Sequence, residues 1–194
     1  PLIDLFSRAD PMCARRLLLA RWFGYQVVWL ACALGAGRGA SWPGILASLT
    51  FIAASLCFEP RRREALAVIA ASGISGAVFE TALLQGSLVN YGASWPSASL
   101  APAWIIALWL AFGAVIPSMA ATLGSRPARN AAAIAIVTAP LAYWAGARLG
   151  ALEMLQPAWT GYVAIALGWA VLLPGLTALS RALLPHSAVR SVTM

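Results

Sequence analysis

The chain has 194 residues, 61% of them hydrophobic and only 10% charged, with a mean hydropathy of +0.81 and a net charge of +7. A water-soluble domain of this length needs far more polar surface, so the apolar excess belongs against lipid. The basic balance then places arginines beside anionic headgroups and argues against nucleic-acid binding.

Residues 1–16 hold Asp4, Asp10 and three arginines, and read as a cytoplasmic interfacial segment. Helix 1 is predicted over 17–34, too long for the apolar region of a cleaved signal, and so is retained. It runs out in Gly35-Ala36-Gly37-Arg38-Gly39, too glycine-rich to continue a helix. Helix 2, 43–58, starts on Pro43 and stops at Glu59-Pro60; it is short for a full span. The turn Arg61-Arg62-Arg63-Glu64 precedes helix 3, 65–89. Helix 4 covers 102–123, helix 5 130–149 and helix 6 160–184, with Pro117, Pro140 and Pro174 in their interiors. A short tail, 185–194, holds His186 and Arg190.

Eleven of the thirteen arginines gather near the chain ends and in the second and fourth gaps; only Arg38 and Arg148 fall in the others, and lysine is absent. Basic residues are retained on the cytoplasmic side, so the expected architecture is all-α. It is a polytopic bundle of six transmembrane helices spanning 17–184, both termini cytoplasmic, with three outward-turning hairpins. Gly-Ala-Ser-Trp-Pro occurs at Gly39–Pro43 and again at Gly92–Pro96, and Gln156-Pro157-Ala158-Trp159 marks the third hairpin. Tryptophan suits the headgroup level; hairpin duplication and convergent loop chemistry both account for the repeat.

Glu80 is the most informative side chain. Counting 1.5 Å per residue puts it roughly 24 Å along helix 3, and Arg148 roughly 27 Å along helix 5. With Arg38 and Glu153 nearby in the sequence pattern, two arginines and two glutamates are expected in one layer. Buried ionisable groups in lipid are costly unless paired or hydrated. Two readings follow: a ligand or proton site in which the arginines grip an anionic headgroup, or a clamp between helices 3 and 5. Gln26 and Trp29 lie on neighbouring turns of helix 1 and read as interhelical polar glue. Ser72-x-x-x-Gly76 and Gly146-x-x-x-Gly150 allow close helix approach and are weak signs of dimerisation. Cys13, Cys32 and Cys57 have no metal or disulfide spacing and read as small packing residues. With one histidine, in the tail, no metal site is expected. No phosphate loop or nucleophile elbow occurs, so no cofactor is assigned and a non-catalytic role is favoured.

Tyr25-Gln26-x-x-Trp29 with Gly35–Gly39, Ala101-Pro102-Ala103-Trp104 running into Ala107–Phe112, and above all Pro140–Glu153 carry a resemblance. Together they resemble a family of small bacterial inner-membrane proteins known only as a domain of unknown function. The family pattern has an aspartate where this chain has Glu80, and an Asn-His pair where it has Pro117 and Ser118. Relatives are often encoded near enzymes that modify membrane fatty acids, which implies a lipid-linked role. The expected function is to bind a lipidic or amphipathic molecule in an outward-facing pocket of the bacterial inner membrane, supporting lipid modification or transport. Glu80, Arg148, Arg38 and Glu153 would form its polar end, and Trp104, Trp109 and Trp144 its walls. The alternatives are an accessory subunit of a larger membrane complex and a small proton-coupled transporter. Expected partners are membrane lipids, and either a membrane-protein partner or a second copy.

Overall fold

A computed structural model describes residues 11–184; the expectations for residues 1–10 and for the tail, His186 included, lie outside them. Residues 11–16, expected as part of a separate segment, and Gly35–Gly37, expected to end helix 1, both belong to the first helix. Six helices form an all-α bundle: α1 (Pro11–Gly37), α2 (Trp42–Cys57), α3 (Arg62–Gln85), α4 (Ala103–Thr122), α5 (Pro127–Arg148) and α6 (Ala158–Leu183). Five are long and apolar enough to cross a membrane; α2, with 16 residues, is the short one. Two elements went unforeseen in the sequence: strands β1 (Val89–Tyr91) and β2 (Leu152–Met154), paired antiparallel with Asn90 opposite Glu153.

The ribbon explains why helix 3 stops four residues before its predicted end. Gly86 follows the last turn, Leu88 N–H returns to Leu83 O at 3.0 Å, and Ser87 takes a left-handed φ of 54°. The chain is thereby released as Val89-Asn90-Tyr91, whose outer residues point in and whose middle residue points out. Leu152-Glu153-Met154 alternates in the same way, so one face of the ribbon seals the bundle.

Helix α4 is the axis. It packs against α1, α2, α3 and α6, and 67% of its most apolar window is buried, against 22–39% in the other spans. It carries no charged side chain and is apolar on every face, as a helix enclosed by others must be. Helix α5 leans on α6, and α1 on α2 and α4. The three sequential hairpins therefore keep their own pairings and meet one another mainly through α4.

The two ends of the bundle differ. One carries Arg21, the Arg61–Arg63 turn, Arg126, Arg129 and Arg181 and is called here the arginine end. Arg21 there donates to Ser118 Oγ at 3.1 Å and meets Glu59 at 3.5 Å, tying α1 to α2 and α4. Arg181 donates twice to the carbonyl of Ala120, at 2.7 and 3.2 Å, near the end of α4. The opposite, hairpin end carries the ribbon and the exposed Trp42, Trp95, Trp144 and Trp159. The two copies of the five-residue repeat meet there: Ser41 Oγ donates to Ala93 O at 3.0 Å. Their conformations differ, because Trp42 opens α2 whereas Trp95 lies in a loop.

Candidate functional site

Glu80 lies on α3 with no exposed surface, among side chains from three other elements. Its Oε2 accepts from the Tyr91 hydroxyl of β1. Its Oε1 accepts from the Tyr143 hydroxyl of α5 and from Trp109 Nε1–H of α4, the latter at 2.6 Å. The ribbon thus delivers one donor, and the two helices flanking the bundle interior deliver the others. Burial, reinforced by the Glu80 carboxyl beside it, pushes the Tyr91 phenol far above its ordinary titration range, so it stays a hydroxyl donor.

Local sequence places the indole. Gly76 precedes Glu80 by one helical turn, on the same face, and a Cβ there would fall within the Trp109 ring. The absence of that Cβ lets α4 come close enough for the indole N–H to reach the carboxyl one turn on. Ser72 Oγ fixes the same contact by donating to Trp109 O at 2.7 Å. The Ser72-x-x-x-Gly76 pair therefore serves α3–α4 packing within the chain. On its other side Trp109 stacks on Trp169 of α6, centroids 4.4 Å apart and planes 26° apart. Phe112 meets both rings edge-on.

This cluster forms the deep wall of a cavity of about 460 Å³. The volume is within the range of small-molecule sites, roughly 300–1,000 Å³. Helix α1 supplies one side through Trp22, Tyr25, Gln26, Trp29 and Ala33; α5 supplies the other, from Ile134 to Gly146. Helices α4 and α6 form the floor, with Trp104, Trp109 and Trp169 among their contributions. From Trp22 to Ala33 the α1 wall is about 17 Å long, so the space is elongated along the bundle. Its polar lining side chains are few: Gln26, Glu80 and Thr138 stand out among aromatic and aliphatic groups.

The mouth opens on the flank. Gln26, Ile134, Thr138 and Leu141 are the exposed lining residues, and all lie mid-helix on α1 or α5. At the hairpin end these helices converge until a Cβ on Gly37 would collide with the Leu149 carbonyl, while Ala151 and Leu152 close the space beneath. An opening at the hairpin end, as expected from sequence, is therefore replaced by a lateral one between α1 and α5.

The charged layer predicted around Glu80 does not assemble. Arg38, Arg148 and Glu153 are exposed and none lines the cavity; among the described residues the one ion pair is Arg21–Glu59. The clamp between Glu80 and Arg148 is corrected to a hub of two tyrosines and a tryptophan. The reason is facing, not depth. Helices α3 and α5 both start three residues earlier than expected, so their relative register is unchanged. Arg148, however, is the exposed last residue of α5, whereas Tyr143 lies on another face of that helix, buried against Glu80. Glu153 points outward from the ribbon opposite Asn90. Trp104 and Trp109 do line the cavity, as do Gln26 and Trp29; Trp144 faces away at 55% exposure. Tyr91, Tyr143 and Trp169 were missed as site residues. The alternation Val-Asn-Tyr opposite Leu-Glu-Met was the available signal for the ribbon and hence for Tyr91. The described residues hold no group of three or more His, Cys, Asp or Glu able to bind a metal ion.

The sequence profile of a family described as "Protein of unknown function (DUF2878)" matches residues 18–175, a stretch that contains every residue of this site. No curated protein and no solved structure matches the chain.

Proposed function

Because the chain belongs to this family of unknown function, DUF2878, we propose a role from the site alone: it takes one lipidic or amphipathic molecule sideways into the α1/α5 cavity. Bound there, the molecule serves membrane lipid modification or transport. The observation that carries this reading is the elongated, aromatic-lined cavity whose mouth is on the helical flank and whose deep wall holds a buried carboxyl. A flank opening between spans faces acyl chains, and an apolar wall offers such a chain nothing to lose on entry.

The setting is the bacterial inner membrane, with the arginine end cytoplasmic and the hairpins outward. Supporting this are the concentration of arginines at one end and of exposed tryptophans at the other. Surrounding lipids are the immediate partners, and a second protein subunit or a second copy would pack on the lipid-facing surfaces.

Native mass spectrometry after purification from host membranes in mild detergent tests the reading. A small-molecule adduct is expected on the wild-type chain and should disappear in Ala142→Phe, which places a ring in the cavity from the α5 wall. An adduct that survives this substitution moves the binding site elsewhere. A stoichiometric protein partner with no adduct makes the chain an accessory subunit instead.

A further inference from the structure

The hydrogen-bond shell of Glu80 is built for an anion, yet among the described residues no cation is bonded to it. Trp109 can only donate, its N–H is aimed at Oε1 at 2.6 Å, and both tyrosine hydroxyls are placed to donate as well. Three donors on two oxygens leave one acceptor position of a carboxylate open and supply no positive charge. The other acids with described side chains, Glu59, Glu64 and Glu153, sit near helix ends or on the ribbon, and Glu59 has Arg21. Glu80 alone is enclosed without a counter-charge.

What adjoins it is the cavity. No arginine lines that space, and its remaining polar side chains, Gln26 and Thr138, are uncharged. An anionic headgroup would find no partner there. The walls instead present indole and phenol rings, Trp29, Trp104, Trp109, Tyr143 and Trp169 among them. Aromatic faces around a carboxylate are the chemistry that recognises an ammonium group, through the ring quadrupoles and the full negative charge together.

We propose that the amphipathic ligand of this cavity carries an ammonium end, which seats among the aromatic rings beside Glu80 and completes its charge. This rests on the reading that the cavity is a ligand site. The shared chemistry could come from an alkylamine or quaternary amine, or from the ammonium group of a lipid headgroup.

The test uses the full chain in uncharged maltoside micelles, with adducts quantified by native mass spectrometry. Decyltrimethylammonium, decanol and decanoate are titrated separately onto wild type and Glu80→Gln. The cation is expected to bind at least tenfold more tightly than either other probe to wild type, and that preference should vanish in the variant. Lysophosphatidylethanolamine is then added as competitor: displacement at comparable concentration assigns the ammonium to a lipid headgroup, and resistance assigns it to a free amine, both in keeping with the proposal. Equal binding of decanol or decanoate to wild type overturns the ammonium assignment and leaves the cavity reading standing. Binding of none of the probes removes both. A tenfold preference that persists in folded Glu80→Gln also overturns the proposal, and if that variant does not fold, the wild-type ratio decides alone.

Discussion

Replacing Gly76 by alanine adds one methyl group at the contact that sets the whole site. The new Cβ would lie inside the Trp109 indole, with ring atom Cδ1 only 2.6 Å away. Trp109 is held where Trp169 stacks at 4.4 Å and Phe112 closes on it edge-to-face at 6.2 Å, so it yields only toward the cavity. Overpacking of this kind costs about 1–3 kcal/mol. Moving the ring also draws its N–H off Glu80, and a hydrogen bond to a charged group contributes about 1.5–3 kcal/mol. Alanine returns at most about 1 kcal/mol through helix propensity. The net loss expected is about 1.5–5 kcal/mol. Gly175 on α6 provides the matched control, because a Cβ there meets nothing within 4 Å. Gly175→Ala should leave stability unchanged or raise it by up to about 1 kcal/mol. Unfolding both variants by dodecyl sulfate titration in mixed micelles, followed by far-UV circular dichroism, gives the comparison. If the two shift together, or Gly76→Ala matches wild type, the close approach of α3 and α4 does not position Trp109 as described.

Two further outcomes concern the hub and its neighbour. Tyr91→Phe and Tyr143→Phe each remove one donor from Glu80 with little change of shape, and each should cost about 1.5–3 kcal/mol in the same titration. The double variant should depart from additivity, because both hydroxyls serve one carboxyl; strict additivity would mean that they act separately. Arg148→Ala should fall within about 0.5 kcal/mol of wild type, as befits an exposed side chain outside the hub. A loss of several kcal/mol there would restore the clamp between α3 and α5.

The helices were legible because lipid-facing sequence is written in long apolar runs, punctuated by Pro43, the Arg61–Arg63 turn and the glycines around Arg38. Glu80 was legible for a related reason: an acid in such a run has no neutral explanation. Its partners were not. Reasoning from charge looked for an arginine, whereas the carboxyl is satisfied by neutral donors that hydropathy does not separate from ordinary core or interface aromatics. Tyr143 depends on which face of α5 turns inward, since Arg148 at the end of the same helix points out and is exposed. Trp109 depends on which face of α3 Gly76 clears, a fact of three-dimensional packing. The enclosed position of α4 was visible only as a missing charge, since chain order alone suggests three equivalent hairpins.

The order in which the chain emerges during synthesis gives the hub one last property. Glu80 precedes all of its donors: Tyr91 follows after 11 residues, Trp109 after 29 and Tyr143 after 63. The first three helices can therefore be made, and α1 can rest on α2, while the carboxyl still has no partner from its own chain. Only when α5 is complete does the last hydroxyl arrive, and with it the far wall of the cavity. Helix α6 then adds Trp169 to the floor and closes the site, so a chain cut short before Tyr143 would keep its first four helices and lack the site altogether.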